Sequence, residues 1–375
     1  MNERDDKLAG GCCEGAGKAA APSRPCCGAP EAPAAPCCGP IPLDQVPHVP
    51  TTLSRADKWG MFKAHIGIGR MHYAVSPGLY AVGDPSADSP VLVTANYRMT
   101  FDKLRAELTG IDAWIIVLDT RGINVWCAAG KGTFGTDELC RRIQAVGLER
   151  AVSHRRLILP QLSAPGVRAH EVAKRIGWQV VYGPVRAADI PAFLAAGCQA
   201  APEMRRVRFP FADRIVLVPL ELLMWGRYLL ALAAVMLLLG CLGRDGWAWG
   251  RLVTVGVPSM AALLAAYLIG GIVPPALLPW LPGRAFAVKG LWVGLAAAVG
   301  LAVCWLVVPG PRSGAALAGW VLLIPAIASF MAMNFTGVST YTSLSGVKRE
   351  VRAAAPFQAF LAIAGMVLWT IGRFA

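Results

Sequence analysis

The sequence predicts two folded parts in series: an α/β domain built on a parallel sheet, then an all-α membrane domain of about five helices. Three observations carry this reading. Short apolar runs alternate with capped helical segments between residues 91 and 196. Five long apolar stretches follow in tandem from Pro219 onward. Hydrophobic residues make up 55% of the 375-residue chain and charged ones 16%, a split too apolar for a water-soluble globule and suited to bilayer-crossing segments.

Residues 1–50 are rich in Ala, Pro, Gly and Cys. Such a segment buries too little apolar surface to offset its ordering entropy, so a disordered tail is expected. It carries three vicinal pairs, Cys12-Cys13, Cys26-Cys27 and Cys37-Cys38. Adjacent thiolates suit two-coordinate soft ions, which makes the pairs candidates for Hg(II) capture. The plainer alternative is a low-complexity tail with incidental cysteines. None has Cys-x-x-Cys spacing, so zinc ribbons and iron–sulfur clusters are not supported. The first 40 residues lack the apolar core of a cleavable signal peptide. A reducing, cytosolic setting with free thiols is therefore expected.

Residues 51–214 read as a cytoplasmic ligand-binding domain. Gly67-Ile68-Gly69-Arg70-Met71-His72 begins like a dinucleotide fingerprint but ends in His, and no clear strand precedes it. His65 and His72 are read as polar surface residues. Residues 91–95 read as a strand, and Thr100 as the cap of a helix over 101–108 closed by Gly110. Residues 111–118 form an apolar run typical of a buried strand. Thr136 caps a further helix with Asp137 and Glu138 in its first turn. Then come a short strand at 157–159, a helix over 167–176 stopped by Gly177, a strand at 178–182 and a last helix over 190–196. This alternation implies a parallel sheet covered by helices, a Rossmann-like arrangement. Fold alone leaves the ligand open.

Residues 215–375 form the membrane part. Its apolar stretches lie near 220–242, 252–273, 285–308, 315–333 and 357–371, each close to the ~20 residues that cross a bilayer core, the fifth being shortest. Arg205, Arg206, Arg208 and Arg214 precede the first stretch, and Arg284, Lys289, Lys348, Arg349 and Arg352 lie in loops on the same side. The opposite loops hold Arg244, Arg251 and Arg312. The positive-inside rule thus places the α/β domain in the cytoplasm of a multi-pass inner-membrane protein. The polar run 334–345 reads as a connecting loop on the cytoplasmic side. Net charge is +13, shared as −2, +8 and +7 over residues 1–50, 51–214 and 215–375. A basic domain suits an acidic partner or an anionic membrane surface. No basic stripe with interleaved aromatics points to nucleic acid.

Chemistry concentrates after the 111–118 run, in Asn124-Val125-Trp126-Cys127-Ala128-Ala129-Gly130-Lys131. Asn124 is a good N-cap, placing Cys127 in the first turn of a short helix, where the dipole favours a thiolate. The small residues Ala128, Ala129 and Gly130 leave little bulk beside the sulfur. The site falls at the carboxyl end of a strand, where open α/β sheets bind ligands.

This eight-residue stretch resembles the signature of the corrinoid protein of microbial mercury methylation, the HgcA family. The resemblance includes residues 77–81, 93–97 and 160–162 and runs from about Asp57 onward. It implies a cobalamin-type corrinoid, bound base-off, with Cys127 as the lower axial ligand of cobalt. Asn124 then caps the helix, Val125 and Trp126 anchor it, Ala128, Ala129 and Gly130 admit the corrin, and Lys131 reaches its carboxamides. Thr94, Ala95, Asn96, Gly183 and Pro184 are further candidates for the pocket wall. A histidine ligand in an Asp-x-His-x-x-Gly motif is absent; His65 has Lys63 and Ile68 at the Asp and Gly positions. A thiolate suits the reaction that the resemblance implies. Hg(II) accepts methyl with its bonding electrons, and a sulfur donor stabilises the Co(III) left behind. Return to Co(I) requires low-potential electrons, hence a small ferredoxin with two 4Fe–4S clusters as partner. A methyl donor such as methyltetrahydrofolate or its carrier protein, Hg(II) thiolates and the lipid bilayer complete the expected partners. Two rivals stand beside this reading: a corrinoid methyl carrier of acetyl-CoA-type carbon metabolism, and a non-enzymatic membrane metal-binding protein working through the tail pairs.

Overall fold

The computed structural model of the chain describes residues 42–307, 313–338 and 344–374. The six tail cysteines, Arg312 and part of the 334–345 run lie outside them. The chain divides at residue 38, and all the described residues fall in the second unit.

The first helix, α1 (Arg55–His65), begins with a reciprocal cap. Ser54 Oγ accepts from the Asp57 N–H at 3.1 Å, and the Asp57 carboxylate accepts from the Ser54 N–H at 3.0 Å. Then follow β1 (Gly78–Val82), β2 (Val91–Ala95), α2 (Arg98–Ala106), β3 (Ala113–Leu118), α3 (Val125–Lys131) and α4 (Thr136–Val146). The domain ends with β4 (Arg156–Leu159), α5 (Ala169–Ile176), β5 (Gln179–Tyr182) and α6 (Ile190–Ala195). The strand order is β1-β3-β2-β4-β5. Strands β3, β2, β4 and β5 run parallel, as the alternation predicts.

All residues of β2 and β3 are buried, which is why both read as continuous apolar runs rather than alternating ones. The pleat sorts them to two faces. Trp114, Ile116 and Leu118 join a core with α3, α4 and α5, while Ile115 and Val117 join one with α2 and α6.

The sequence reading missed β1, which pairs antiparallel to β3 and closes the sheet edge. Its five residues are bounded by no helical signal that would have exposed them. The segment before residue 51 is also not wholly tail. Val46 is buried, the Val49 N–H donates to Ala81 O at 2.8 Å, and Pro47 O accepts from the Ala81 N–H at 3.0 Å. Two expected caps moved. Helix α2 starts three residues early at Tyr97, without a side-chain cap, and Gly135 rather than Thr136 caps α4. The Thr136 hydroxyl instead accepts from the Arg168 N–H, tying α4 to the start of α5.

After α7 (Phe211–Ile215) come α8 (Val218–Gly240), α9 (Val257–Ala276), α10 (Phe286–Val307), α11 (Gly314–Val338) and α12 (Leu344–Ile371). These supply five helices long and apolar enough to cross a membrane. The last is longer than the sequence suggested, because its first turns are polar and escape a hydropathy reading. Helix α11 is the most enclosed of the five. Side chains at Gly270 or Gly290 would collide with Ala328 of α11 at 2.5 Å, so these helices approach at backbone distance.

One buried charge cluster fastens α1 to α2. Asp57 pairs with Arg98 and Arg105, both at 2.9 Å, and Asp102 pairs with the same two arginines. Burial alone would raise the Asp57 carboxyl, but the Ser54 hydroxyl and N–H and the Arg105 guanidinium hold it at about 2, against its ordinary 3.8. A depressed carboxyl contributes stability above its unfolded value and loses it as pH falls toward the folded one. Asp57→Asn should therefore lower amide-exchange protection of α1 and α2 at pH 7 by about 2 kcal/mol. The wild-type chain should lose that margin between pH 4 and pH 2 and the variant should not; equal protection in both would refute the role.

Candidate functional site

The site is built from the turn between β3 and α3. Asn96, buried at the end of β2, reaches across to it. Its Oδ1 accepts from the N–H groups of Thr120 at 3.1 Å and Gly122 at 2.9 Å, and lies 2.8 Å from the Thr120 hydroxyl. Asp119 Oδ1 accepts from the Arg121 N–H at 3.0 Å, and Arg121 sits at φ 58, a left-handed conformation that few non-glycine residues adopt. The turn is thus fixed before the helix starts. Asn124 then caps α3, its Oδ1 accepting from the Cys127 N–H at 2.9 Å.

Helical spacing divides α3 into two faces. Val125, Ala128 and Ala129 are buried in the sheet core. Asn124, Cys127 and Lys131 share the other face, with Cys127 half-buried and Gly130 and Lys131 exposed. Burial pushes the Cys127 thiol up, opposed by Lys131, the Asn124 hydrogen bond and Arg70. Desolvation thus works against the thiolate that the helix end is expected to favour.

Beside this face lies a cleft with a cavity volume of about 360 Å³. It opens at the carboxyl ends of β2 and β4, where the chain, having gone from β2 to β3 on one side, resumes on the other. Open α/β sheets bind ligands at such a reversal. Thr94, Asn124, Val125, Trp126, Gly183 and Pro184 line it. Cys127, Ala128, Ala129, Gly130 and Lys131 do not, although Cys127 adjoins the liners Asn124 and Trp126 in sequence and Arg70 acts on it electrostatically. Ala95 and Asn96 do not line it either. Ala95 is enclosed in the sheet core, and the carbonyl of the Asn96 side chain is spent on the β3–α3 turn.

The sequence reading passed over His65, Arg70 and Lys103, all of which line the cleft. His65 is not a plain surface residue: it is half-buried, its Nδ1 lies 2.9 Å from Met61 O, and burial lowers its basicity. The signal for His65 and Arg70 was the Gly-, His- and Arg-rich run at 65–72, which looked like surface because its long-range partners are invisible in sequence. Val216 and Leu217 complete the wall, so the start of the apolar helices borders the cleft.

Residues 69–194 match the family described as CO dehydrogenase/acetyl-CoA synthase delta subunit, CdhD. The chain is 35% identical over 122 residues to the acetyl-CoA decarbonylase/synthase complex subunit gamma of Archaeoglobus fulgidus. It is 36% identical over 122 residues to that of Methanopyrus kandleri and 33% over 129 residues to that of Methanosarcina acetivorans. These alignments cover 32%, 32% and 33% of this chain and 26%, 26% and 27% of the relatives. The chain thus spans about a quarter of the length of the curated relatives it matches. The family match begins between α1 and β1, ends inside α6 and stops before the apolar helices.

Lys131→Ala should shift the pH midpoint for alkylation of Cys127 upward, read by mass spectrometry of its peptide, because it removes the largest influence that opposes burial. An unchanged midpoint would remove Lys131 from the electrostatics of the sulfur.

Proposed function

We propose that this chain is a membrane-anchored methyl-transfer protein whose Rossmann-like domain binds a corrinoid, with Cys127 as the residue that would hold its cobalt. The single observation that supports it most is Cys127 itself: one half-buried soft donor, fixed by a capped helix beside a cleft at the sheet's switch point. Among the described residues no group of three or more His, Cys, Asp or Glu is placed to hold a metal ion. Cys127, a soft donor on the open face of α3, would supply the protein ligand to a macrocycle-held cobalt, so the residues present fit a corrinoid. When bound, a corrinoid supplies a cobalt that takes up and releases a methyl group.

The chain's own residues do the rest. Asn124 fixes the helix end that carries the sulfur. Val125, Ala128 and Ala129 bind that helix to the core. Lys131 and Arg70 place positive charge near the sulfur and favour its ionised form against burial. Thr94, Trp126, Gly183 and Pro184 wall the cleft.

The methyl acceptor divides two readings. The relatives are named as acetyl-CoA decarbonylase/synthase subunits, and they favour a methyl carrier of acetyl-CoA-type carbon metabolism over mercury chemistry. The 124–131 signature, which lies inside the matched region, and the five apolar helices, which lie beyond it, support the other reading, in which Hg(II) is the acceptor. Under it a small two-cluster ferredoxin and a methyltetrahydrofolate-type donor would be the partners, and the α/β domain would face the cytoplasm. The tail pairs from Cys12 to Cys38 are candidates for delivering Hg(II) thiolates. The separation is experimental. Full-length protein carrying methylcorrinoid should form methylmercury from a Hg(II) thiolate, and Cys127→Ala should abolish this. Indifference to Hg(II) with methyl transfer to a carbonyl-handling partner would establish the carrier reading instead.

A further inference from the structure

Three basic side chains, His65, Arg70 and Lys103, line the cleft, and no carboxylate does. They form one electrostatic cluster, since Lys103 and Arg70 both act on His65. Their neighbours on α2 make a useful contrast. Arg98 and Arg105 are consumed by Asp57 and Asp102, whereas among the described residues neither Arg70 nor Lys103 has an ion-pair partner. Arg70 is positioned rather than loose. It donates to Ala64 O at 3.3 Å and its guanidinium carbon lies 5.6 Å from the centre of the Tyr97 ring. The carboxylate of Glu221, at the start of the apolar helices, lies within electrostatic reach of Arg70 but does not line the cleft. A cleft lined by basic side chains and by no carboxylate is complementary to an anion.

We infer that Arg70 and Lys103 hold the phosphodiester of the corrinoid's nucleotide tail. The inference rests on the corrinoid reading above and specifies how the cofactor is gripped. A corrin ring is nearly all amide and hydrocarbon, and the tail phosphate is its one fixed negative charge. When a protein sulfur takes the lower position, the displaced tail descends on the same side of the ring as that sulfur. Arg70 lines the cleft and also acts electrostatically on Cys127, which links the cleft to that sulfur. The planar guanidinium offers a two-pronged contact to phosphate and Lys103 a mobile point charge. His65 lies beside them, its Nδ1 2.9 Å from Met61 O and its basicity lowered by burial. The grip therefore selects corrinoids that carry a tail, whichever base ends it.

The test compares three ligands on the full-length protein in neutral-lipid nanodiscs, with binding read by equilibrium dialysis. Cobinamide has neither phosphate nor base, cobinamide phosphate has the phosphate alone, and cobalamin has both. Wild-type protein should bind cobalamin and cobinamide phosphate alike, each about tenfold or more tighter than cobinamide. R70Q/K103Q should remove the advantage of the two phosphate-bearing ligands over cobinamide, bringing all three to one affinity. Equal affinity of wild-type protein for all three, or a uniform loss across all three in the variant, would overturn the phosphate grip while leaving the corrinoid reading intact. Binding of none of them would overturn the corrinoid reading itself, and the grip with it.

Discussion

One hydrogen bond sets the chemistry of this domain: the side-chain oxygen of Asn124 accepting from the backbone N–H of Cys127. It fixes where α3 starts, and so which residues face inward. Shifting the start by one residue would turn the sulfur from the open face toward the core, because helical faces repeat every three to four residues. That bond in turn depends on Asn96, which fixes the turn ahead of it through three contacts to Thr120 and Gly122. A polar residue at the end of β2 thus controls a helix that follows β3, through the parallel pairing of the two strands.

The same geometry explains the charge balance. Cys127 sits near enough to the sheet for burial to dominate its ionisation, and Lys131 and Arg70 pull the other way without prevailing. A soft metal would reverse the outcome, since coordination removes the thiol proton outright. Under the proposed reading, the basic side chains near the cleft would serve two ends, favouring the ionised sulfur and attracting an anion. The structural ion pairs are kept apart from this. Asp57 and Asp102 satisfy Arg98 and Arg105 on the far side of α2, which leaves Lys103 free to face the cleft.

Much of the fold was legible in the sequence wherever one local signal sufficed. Strand β2 begins and ends where its apolar run does, α5 stops at Gly177, and Asn124 caps α3 as its residue type indicates. The five apolar helices were visible from length and composition alone. What stayed hidden depends on partners distant in sequence. Strand β1 is short and is defined by pairing with β3, thirty-five residues on. The tasks of Asn96, His65 and Arg70 are set by the turn, the cleft and the ring of Tyr97, and no local pattern announces them. The small residues Ala128 and Ala129 were read as making room for a ligand, and they instead make room for the core.

The likeness to acetyl-CoA decarbonylase/synthase subunits covers the α/β domain, and the apolar helices lie beyond the family match. Val216 and Leu217, just before the first long apolar helix, wall the cleft, so the apolar part of the chain borders the candidate site. The account stands or falls on the sulfur. X-ray absorption at the cobalt edge of the corrinoid-loaded full-length protein should show one sulfur neighbour, replaced by nitrogen or oxygen in Cys127→Ala. A first shell without sulfur in the wild-type protein would contradict it.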